Sequence, residues 1–152
     1  MSRHPPFLRR LLTLTAALLL ALVATRGLFA DESNPDDWKA PPREAKKKNP
    51  VPADDASRAA GKTIYTQNCL ACHGPAGKGD GPAAITCNPR PHNLTDPKIA
   101  GQTDGALYWK ITEGKKPMPT YAKLLSDNDR WNVVNYLRVL APKPAEGEGD
   151  KQ

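Results

Sequence analysis

The sequence contains few of the residues from which a domain of its length builds a hydrophobic core. Of its 152 residues, 39% are hydrophobic and 6% are aromatic, and signs of β-strands are scarce. The stretch from Gly74 to Gly101 consists mostly of glycine, proline, asparagine and small residues, which is too long for a structureless loop in a compact domain. A large apolar cofactor would supply the missing core and organise this stretch.

The chain also lacks an apolar run of the length that a membrane-spanning helix usually needs. The run from Leu11 to Ala24 covers 14 residues, against about 20 for a typical span. It follows three arginines, and no acidic residue precedes Asp31. We therefore interpret residues 1–30 as a secretory signal peptide cleaved after Ala30, which predicts a periplasmic protein. Retention of this segment as a membrane anchor is the alternative.

Outside residues 1–30, basic and acidic residues are nearly equal in number. The whole sequence has a formal net charge of +6, but those thirty residues hold four arginines and no acid, leaving 18 Lys and Arg against 16 Asp and Glu. A net charge of about +2 gives no case for nucleic acid as a partner.

Proline and charged residues dominate both flanks of the chain. Residues 31–52 are rich in Pro, Lys and Asp, and residues 142–152 have the same character. Such segments cannot bury enough apolar surface to order themselves. We predict a flexible arm over residues 31–52, one domain over residues 53–141, and a disordered tail over residues 142–152.

Three helices are predicted inside this domain. The first is capped by Asp54 or Asp55 and runs toward Asn68, with Ile64 and Tyr65 facing inward. The second follows Thr103, covers residues 104–112 and stops before Gly114. The third starts at a capping box of Ser126 and Asp129. A buried face of this third helix is predicted from apolar residues at helical spacing, namely Val133, Tyr136, Leu137 and Leu140.

The run Cys69-Leu70-Ala71-Cys72-His73 is the attachment signature of c-type haem. Thiols about one helical turn apart reach the two vinyl groups on one porphyrin edge, and His73 then lies under the iron as a ligand. Cys69 and Cys72 alone would also suit a zinc half-site or a redox dithiol. A zinc site needs a second ligand pair, which Cys87 and His92 lack the spacing to form. A thioredoxin-like dithiol needs a preceding strand, where a helix is predicted.

A low-spin haem iron needs a sixth ligand opposite His73, usually Met or His. Met118 lies between Pro117 and Pro119, which stiffen the loop around its sulfur, and it is the predicted ligand. The alternative is that Met118 has no role at the iron and only fills a gap in the core. His92 is the rival ligand, and bis-histidine coordination would lower the reduction potential.

From residue 54 to residue 141 the sequence resembles the small class I cytochromes c. In that family a glycine and an aromatic before the first haem cysteine meet an aromatic of the last helix, and Gly61, Tyr65 and Tyr136 match these positions. The loop Gly79-Asp80-Gly81-Pro82 resembles the one whose proline carbonyl accepts a hydrogen bond from the proximal histidine. The resemblance thus assigns Pro82 to the orientation of His73.

The segment from Tyr108 to Gly114, followed by Met118 and Pro119, is similar to the helix and ligand loop of periplasmic members of that family. The resemblance gives Trp109 a role in packing on the haem or binding a propionate, with space-filling as the alternative. It implies an all-α fold of three to four helices around one covalently bound haem c. The arm and Cys87 depart from the family pattern.

The main functional hypothesis is outer-sphere electron transfer between a redox protein donor and acceptor, without conversion of a substrate. Exposed lysines would then steer docking to an acidic partner, with an ordinary solvated surface as the alternative. The candidate lysines are Lys78, Lys110, Lys115, Lys116 and Lys123.

Two other functions compete with this hypothesis. One is a haem subunit tethered to a membrane respiratory or dehydrogenase complex. The other is a haem enzyme or gas-binding protein with an open iron position. Cys87, the odd thiol, is expected either to be a small buried hydrophobe or to cross-link two chains.

Overall fold

The computed structural model describes residues 38–141. The predicted signal peptide, residues 31–37 of the arm and the predicted tail lie outside the described residues. Six α-helices follow one another along the described chain: α1 (Pro42–Ala45), α2 (Asp55–Asn68), α3 (Leu70–His73), α4 (Pro97–Ala100), α5 (Asp104–Glu113) and α6 (Asp127–Leu140). A 3-10 turn spans Ala84–Thr86.

The described residues contain no β-strand, only an isolated bridge between Lys115 and Met118. This confirms the predicted all-α fold. None of the helices between residues 38 and 141 is long and apolar enough to cross a membrane.

The three predicted helices are α2, α5 and α6, and their ends follow the sequence signals. Asp54 caps α2 by accepting a 2.8 Å hydrogen bond from the backbone N–H of Ser57, which decides between the two candidate aspartates. Thr103 caps α5, and Ser126 forms the predicted capping box with Asp129 at the start of α6. Local side-chain chemistry therefore sets where these helices begin.

Helices α2 and α6 cross at Gly61. A Cβ atom added to Gly61 would lie 2.6 Å from the carbonyl carbon of Asn132 and 2.9 Å from Cβ of Tyr136, closer than real contacts allow. One turn further along, the rings of Tyr65 and Tyr136 pack with centroids 5.3 Å apart at 59°. The glycine admits the backbone of α6, and the aromatic pair closes the crossing.

Most of the large buried apolar residues form a cluster between α5, α6 and the loop that connects them. Within it the rings of Tyr108 and Trp131 are stacked, with centroids 4.0 Å apart. The cluster consists of Leu107, Tyr108, Ile111, Tyr121, Trp131, Val133 and Val134.

The predicted buried face of α6 is correct only in part. Val133 is buried, but Tyr136, Leu137 and Leu140 are half-buried, whereas Trp131 and Val134 are fully inside. The difference arises because α6 contacts both α2 and α5, so more than one of its faces is covered.

The C-terminal half of the expected arm, residues 39–52, packs against the domain. The side-chain amide of Asn49 donates a 2.7 Å hydrogen bond to Oδ1 of Asn135. In return, Nδ2 of Asn135 donates to the carbonyl oxygens of Val51 and Pro52, both at 3.2 Å. The hydroxyl of Thr103 donates to the carbonyl oxygen of Ala45 at 2.6 Å. These hydrogen bonds hold the segment together with the packing of Val51 on the core cluster, and hydrophobic composition does not reveal such polar contacts.

Candidate functional site

The two cysteines of the motif lie on one helical turn. Cys69 ends α2 through a 2.8 Å hydrogen bond from its N–H to the carbonyl oxygen of Tyr65. Its own carbonyl oxygen then accepts from the N–H groups of Cys72 and His73, at 3.1 and 2.8 Å. The chain therefore holds both thiols and the imidazole within one turn, as attachment of a porphyrin along one edge requires.

The motif cysteines are free thiols whose pKa values are raised. Burial, with a smaller contribution from Cys72, raises the pKa of Cys69 to about 12. Burial, together with a hydrogen bond to Cys87, also raises the pKa of Cys72. No group of three or more His, Cys, Asp and Glu residues within residues 38–141 is arranged to hold a metal ion.

The imidazole of His73 is oriented by a backbone carbonyl group. Its Nδ1 lies 3.3 Å from the carbonyl oxygen of His92, and because that oxygen can only accept, Nδ1 carries the proton. Nε2 then keeps its lone pair for a metal. Burial lowers the pKa of His73, which favours the same neutral ring. The donor set of two thiols and one neutral imidazole therefore fits a covalently attached haem.

The loop after His73 folds back over the turn formed by residues 69–73. Its N–H groups at Gly79, Gly81 and Ala83 donate to the carbonyl oxygens of His73, Cys72 and Ala71, at 2.9, 3.1 and 2.8 Å. A Cβ on Gly81 would press on the carbonyl groups of Leu70 and Ala71, so glycine allows this close approach. The predicted loop is thus organised around the motif.

Pro82 lies in this loop and is exposed, but it is the carbonyl oxygen of His92 that approaches Nδ1 of His73. The structure thereby differs from the role that the resemblance gives to Pro82. It also places the backbone of His92 behind the His73 ring, on the side away from Nε2.

Met118 is half-buried and packs against the core cluster. Its N–H donates to the carbonyl oxygen of Lys115 at 2.9 Å, which closes a tight turn. The hydroxyl of Thr120 donates to the carbonyl oxygen of Thr112 at 2.6 Å, and that of Tyr121 to the carbonyl oxygen of Asn68 at 2.7 Å. The Met118 loop is therefore fixed to α5 and to the residue before Cys69.

Trp109 is half-buried and lines a groove between α1 and α5. The other residues of this groove include Pro41, Arg43, Glu44 and Lys47. Across this groove, Trp109 therefore faces residues 41–47 of the predicted arm.

Cys87 lies beside the turn formed by residues 69–73, which the sequence did not predict. Its Sγ atom is 4.0 Å from Sγ of Cys72 and 3.5 Å from the carbonyl oxygen of Ala83, and the residue is half-buried. Fifteen residues separate the two cysteines in the chain, so only the fold brings them together. The His92 carbonyl group was also missed, because a backbone acceptor leaves no residue-type signal.

The chain matches a protein family described as cytochrome c oxidase, cbb3-type, subunit III, over residues 56–137, more than half of its length. It is 32% identical over 93 residues to a cytochrome c6 of Picosynechococcus sp., covering 57% of this chain and 76% of that protein. A cytochrome c6 of Alaria esculenta is 30% identical over 83 residues, with 55% and 91% covered.

One similar solved structure is the reducing HAO-like protein complex of Kuenenia stuttgartiensis. The match has a TM-score of 0.55 and 34% identity, and covers 60% of this chain. The chain spans about half of the matched chain, 47% of its length.

Proposed function

The chain belongs to the c-type cytochrome family whose matched domain is that of cbb3-type oxidase subunit III, and we propose that its haem iron is ligated by His73 and Met118. The family establishes a covalently bound haem c and electron transfer, so the protein is an electron carrier. Cys69 and Cys72 are the residues proposed to form the thioether links.

The observation that carries this ligand set is the hydrogen bond between Nδ1 of His73 and the carbonyl oxygen of His92. It leaves Nε2 of His73 as the metal-binding atom and puts the His92 backbone behind the ring. The backbone of His92 is thus engaged on the side of the His73 ring away from Nε2, which favours Met118 over His92 as the second ligand. Among residues 38–141 Met118 is the sole methionine, and it lies on a loop fixed to the residue before Cys69.

The side chains and backbone groups of the protein position the haem ligands, and none of them reacts. When bound, haem supplies a one-electron couple between ferrous and ferric iron. His92 fixes the tautomer of His73, and the loop from Gly74 onward shields the turn through its backbone hydrogen bonds. A neutral thioether from Met118 would favour ferrous iron and raise the potential. With both axial positions filled, no substrate would reach the metal.

A redox titration with absorption spectra tests this proposal. We expect a low-spin spectrum in both oxidation states and a weak charge-transfer band in ferric protein, characteristic of iron bound to methionine sulfur. High-spin iron that binds small ligands freely at neutral pH would contradict the ligand set and favour an enzyme or gas-binding protein.

Docking by positive charge is proposed for the partner interaction. Lys78, Lys116 and Lys123 are exposed, and Lys116 is two residues from Met118. Such lysines attract an acidic redox partner electrostatically, and the distance over which this attraction acts decreases as the salt concentration rises. Lys110, in contrast, is half-buried. We expect electron-transfer rates with an acidic partner to fall as ionic strength rises, and a flat response would exclude docking by charge.

Export to the periplasm is part of the same proposal, and it rests on residues 1–30. The second candidate, a haem subunit of a larger complex, is favoured by the similarity to part of the Kuenenia stuttgartiensis complex. Mass determination of the purified protein distinguishes cleavage from a retained N-terminus. Co-purification in detergent tests assembly with other chains.

A further inference from the structure

Arg130 is a buried arginine of α6, 5% exposed, that binds the loop following Met118. Its Nη1 donates to the carbonyl oxygens of Tyr121, Ala122 and Leu125, at 3.3, 3.1 and 2.7 Å. A buried guanidinium is costly unless its N–H groups find acceptors. These three contacts therefore fix the backbone of residues 121–125 relative to α6.

The other end of the same guanidinium is anchored in the core. Nη2 donates a 2.9 Å hydrogen bond to the hydroxyl of Tyr108 and also pairs with Asp127. The guanidinium carbon lies 5.2 Å from the centre of the Tyr108 ring, which is itself stacked on Trp131. Arg130 thus connects the loop to α5 and α6 at once.

Met118 is three residues upstream of this anchored segment. It packs against the core cluster, which includes both Tyr108 and Tyr121. We propose that Arg130 is a positioning residue that determines how firmly Met118 is held as an iron ligand. This inference rests on the ligation by His73 and Met118 proposed above. A neutral thioether is a weak ligand, so it stays bound only while the loop restricts its movement.

Arg138 provides a matched control on the same helix. Its Nη1 and Nη2 donate to the carbonyl oxygens of Ala100 and Gln102, both at 2.5 Å, and Nη2 lies 2.7 Å from the carboxylate of Asp104. It therefore binds backbone carbonyl groups and an aspartate as Arg130 does, but on a segment that precedes α5. Its replacement should lower stability without loosening Met118.

The experiment compares haem-bound wild type, Arg130→Lys and Arg138→Lys. Lysine keeps the charge but lacks the planar fork that reaches several acceptors. Imidazole is titrated into ferric protein, and loss of the methionine charge-transfer band gives its dissociation constant. We expect Arg130→Lys to bind imidazole at least about tenfold more tightly than wild type, as for other residues that support metal ligands. Arg138→Lys should match wild type, although guanidinium chloride unfolds both variants earlier.

Equal imidazole affinities in the two variants would overturn the inference, provided that wild type shows the methionine band. Absence of that band from wild type would instead refute the proposed ligand set, and the role of Arg130 with it. Tyr108→Phe removes one acceptor of Arg130 and keeps its charge. Tyr108→Phe should tighten imidazole binding by a smaller factor than Arg130→Lys. If Arg130→Lys fails to retain haem, Tyr108→Phe becomes the deciding variant. An imidazole affinity equal to that of wild type would then refute the positioning role of Arg130.

Discussion

The hydroxyl of Tyr121 donates a 2.7 Å hydrogen bond to the carbonyl oxygen of Asn68, which joins the Met118 loop to the residue before Cys69. His73 and Met118, the two proposed iron ligands, are 45 residues apart in sequence. This bond and the contacts of Arg130 hold the Met118 loop in place. The stability of the site should therefore depend on the protonation of Tyr121.

Alkaline pH is expected to weaken the fold through Tyr121. Burial raises the pKa of Tyr121 above its ordinary value of 10.0. The neutral phenol is favoured more in the folded than in the unfolded state, so its stabilisation is complete below about pH 10 and is lost as pH rises through the higher pKa of the folded protein. Chemical unfolding of the haem-bound protein across this range measures the effect.

Tyr121→Phe is the control for this pH dependence. The variant should lose about 1 kcal/mol at neutral pH, because the Asn68 carbonyl group loses its partner. Its stability should then fall less steeply between about pH 10 and 12 than that of wild type. Some slope will remain, since burial also raises the pKa of Tyr65. Parallel curves for the two proteins would mean that Tyr121 does not titrate as described.

Met118→Ala should convert the iron from low-spin to high-spin and lower its reduction potential. The shift should be a sizeable part of the roughly 0.8 V range that axial ligands set. Val51→Ala is the matched control, because Val51 is also partly buried against the same core cluster. It should lower stability and leave the spectrum unchanged. An unaltered spectrum in Met118→Ala would show that another group binds the iron.

Gly61→Ala should destabilise the protein by about 1–3 kcal/mol, because the added methyl group enters the backbone of α6 at Asn132. Helix propensity alone predicts the opposite sign, a gain of up to about 1 kcal/mol. Thermal unfolding separates the two effects. The control is Ala59→Gly, an exposed position of the same helix that should show only the propensity cost. A higher melting temperature in Gly61→Ala would mean that α2 and α6 do not meet so closely.

Asn49→Ala should release residues 39–52 from the domain. Asn135 is 4% exposed and would lose the partner of its side-chain oxygen, which costs about 1–3 kcal/mol. Denaturant unfolding measures this loss, and limited proteolysis should cut the segment sooner. Asn128→Ala, at an exposed position of α6, should stay within about 0.5 kcal/mol of wild type. Equal protease resistance would show that other contacts suffice to hold the segment.

The thiol count of denatured holoprotein tests attachment through Cys69 and Cys72. We expect one reactive thiol per chain, that of Cys87, and none in Cys87→Ser. Haem should stay with the polypeptide after acid and organic solvent in both proteins. Three thiols together with extractable haem would rule out thioether links.

The sequence by itself determined the features that depend on residues close together in the chain. Cys69, Cys72 and His73 lie within one helical turn, so their spacing by itself predicts covalent attachment of haem. The starts of α2, α5 and α6 follow from capping side chains next to them in the chain. Gly61 and Tyr65 were assigned to the helix crossing through family resemblance, and the crossing is present.

Only the tertiary structure decided which distant groups surround the turn formed by residues 69–73. The carbonyl oxygen of His92 reaches His73, and the sulfur of Cys87 lies near Cys72, although neither pairing has a sequence signal. The sequence did not predict the packing of residues 39–52 or the buried contacts of Arg130, for the same reason. Backbone carbonyl groups occur at every residue, so the chain path alone selects which of them a side chain meets.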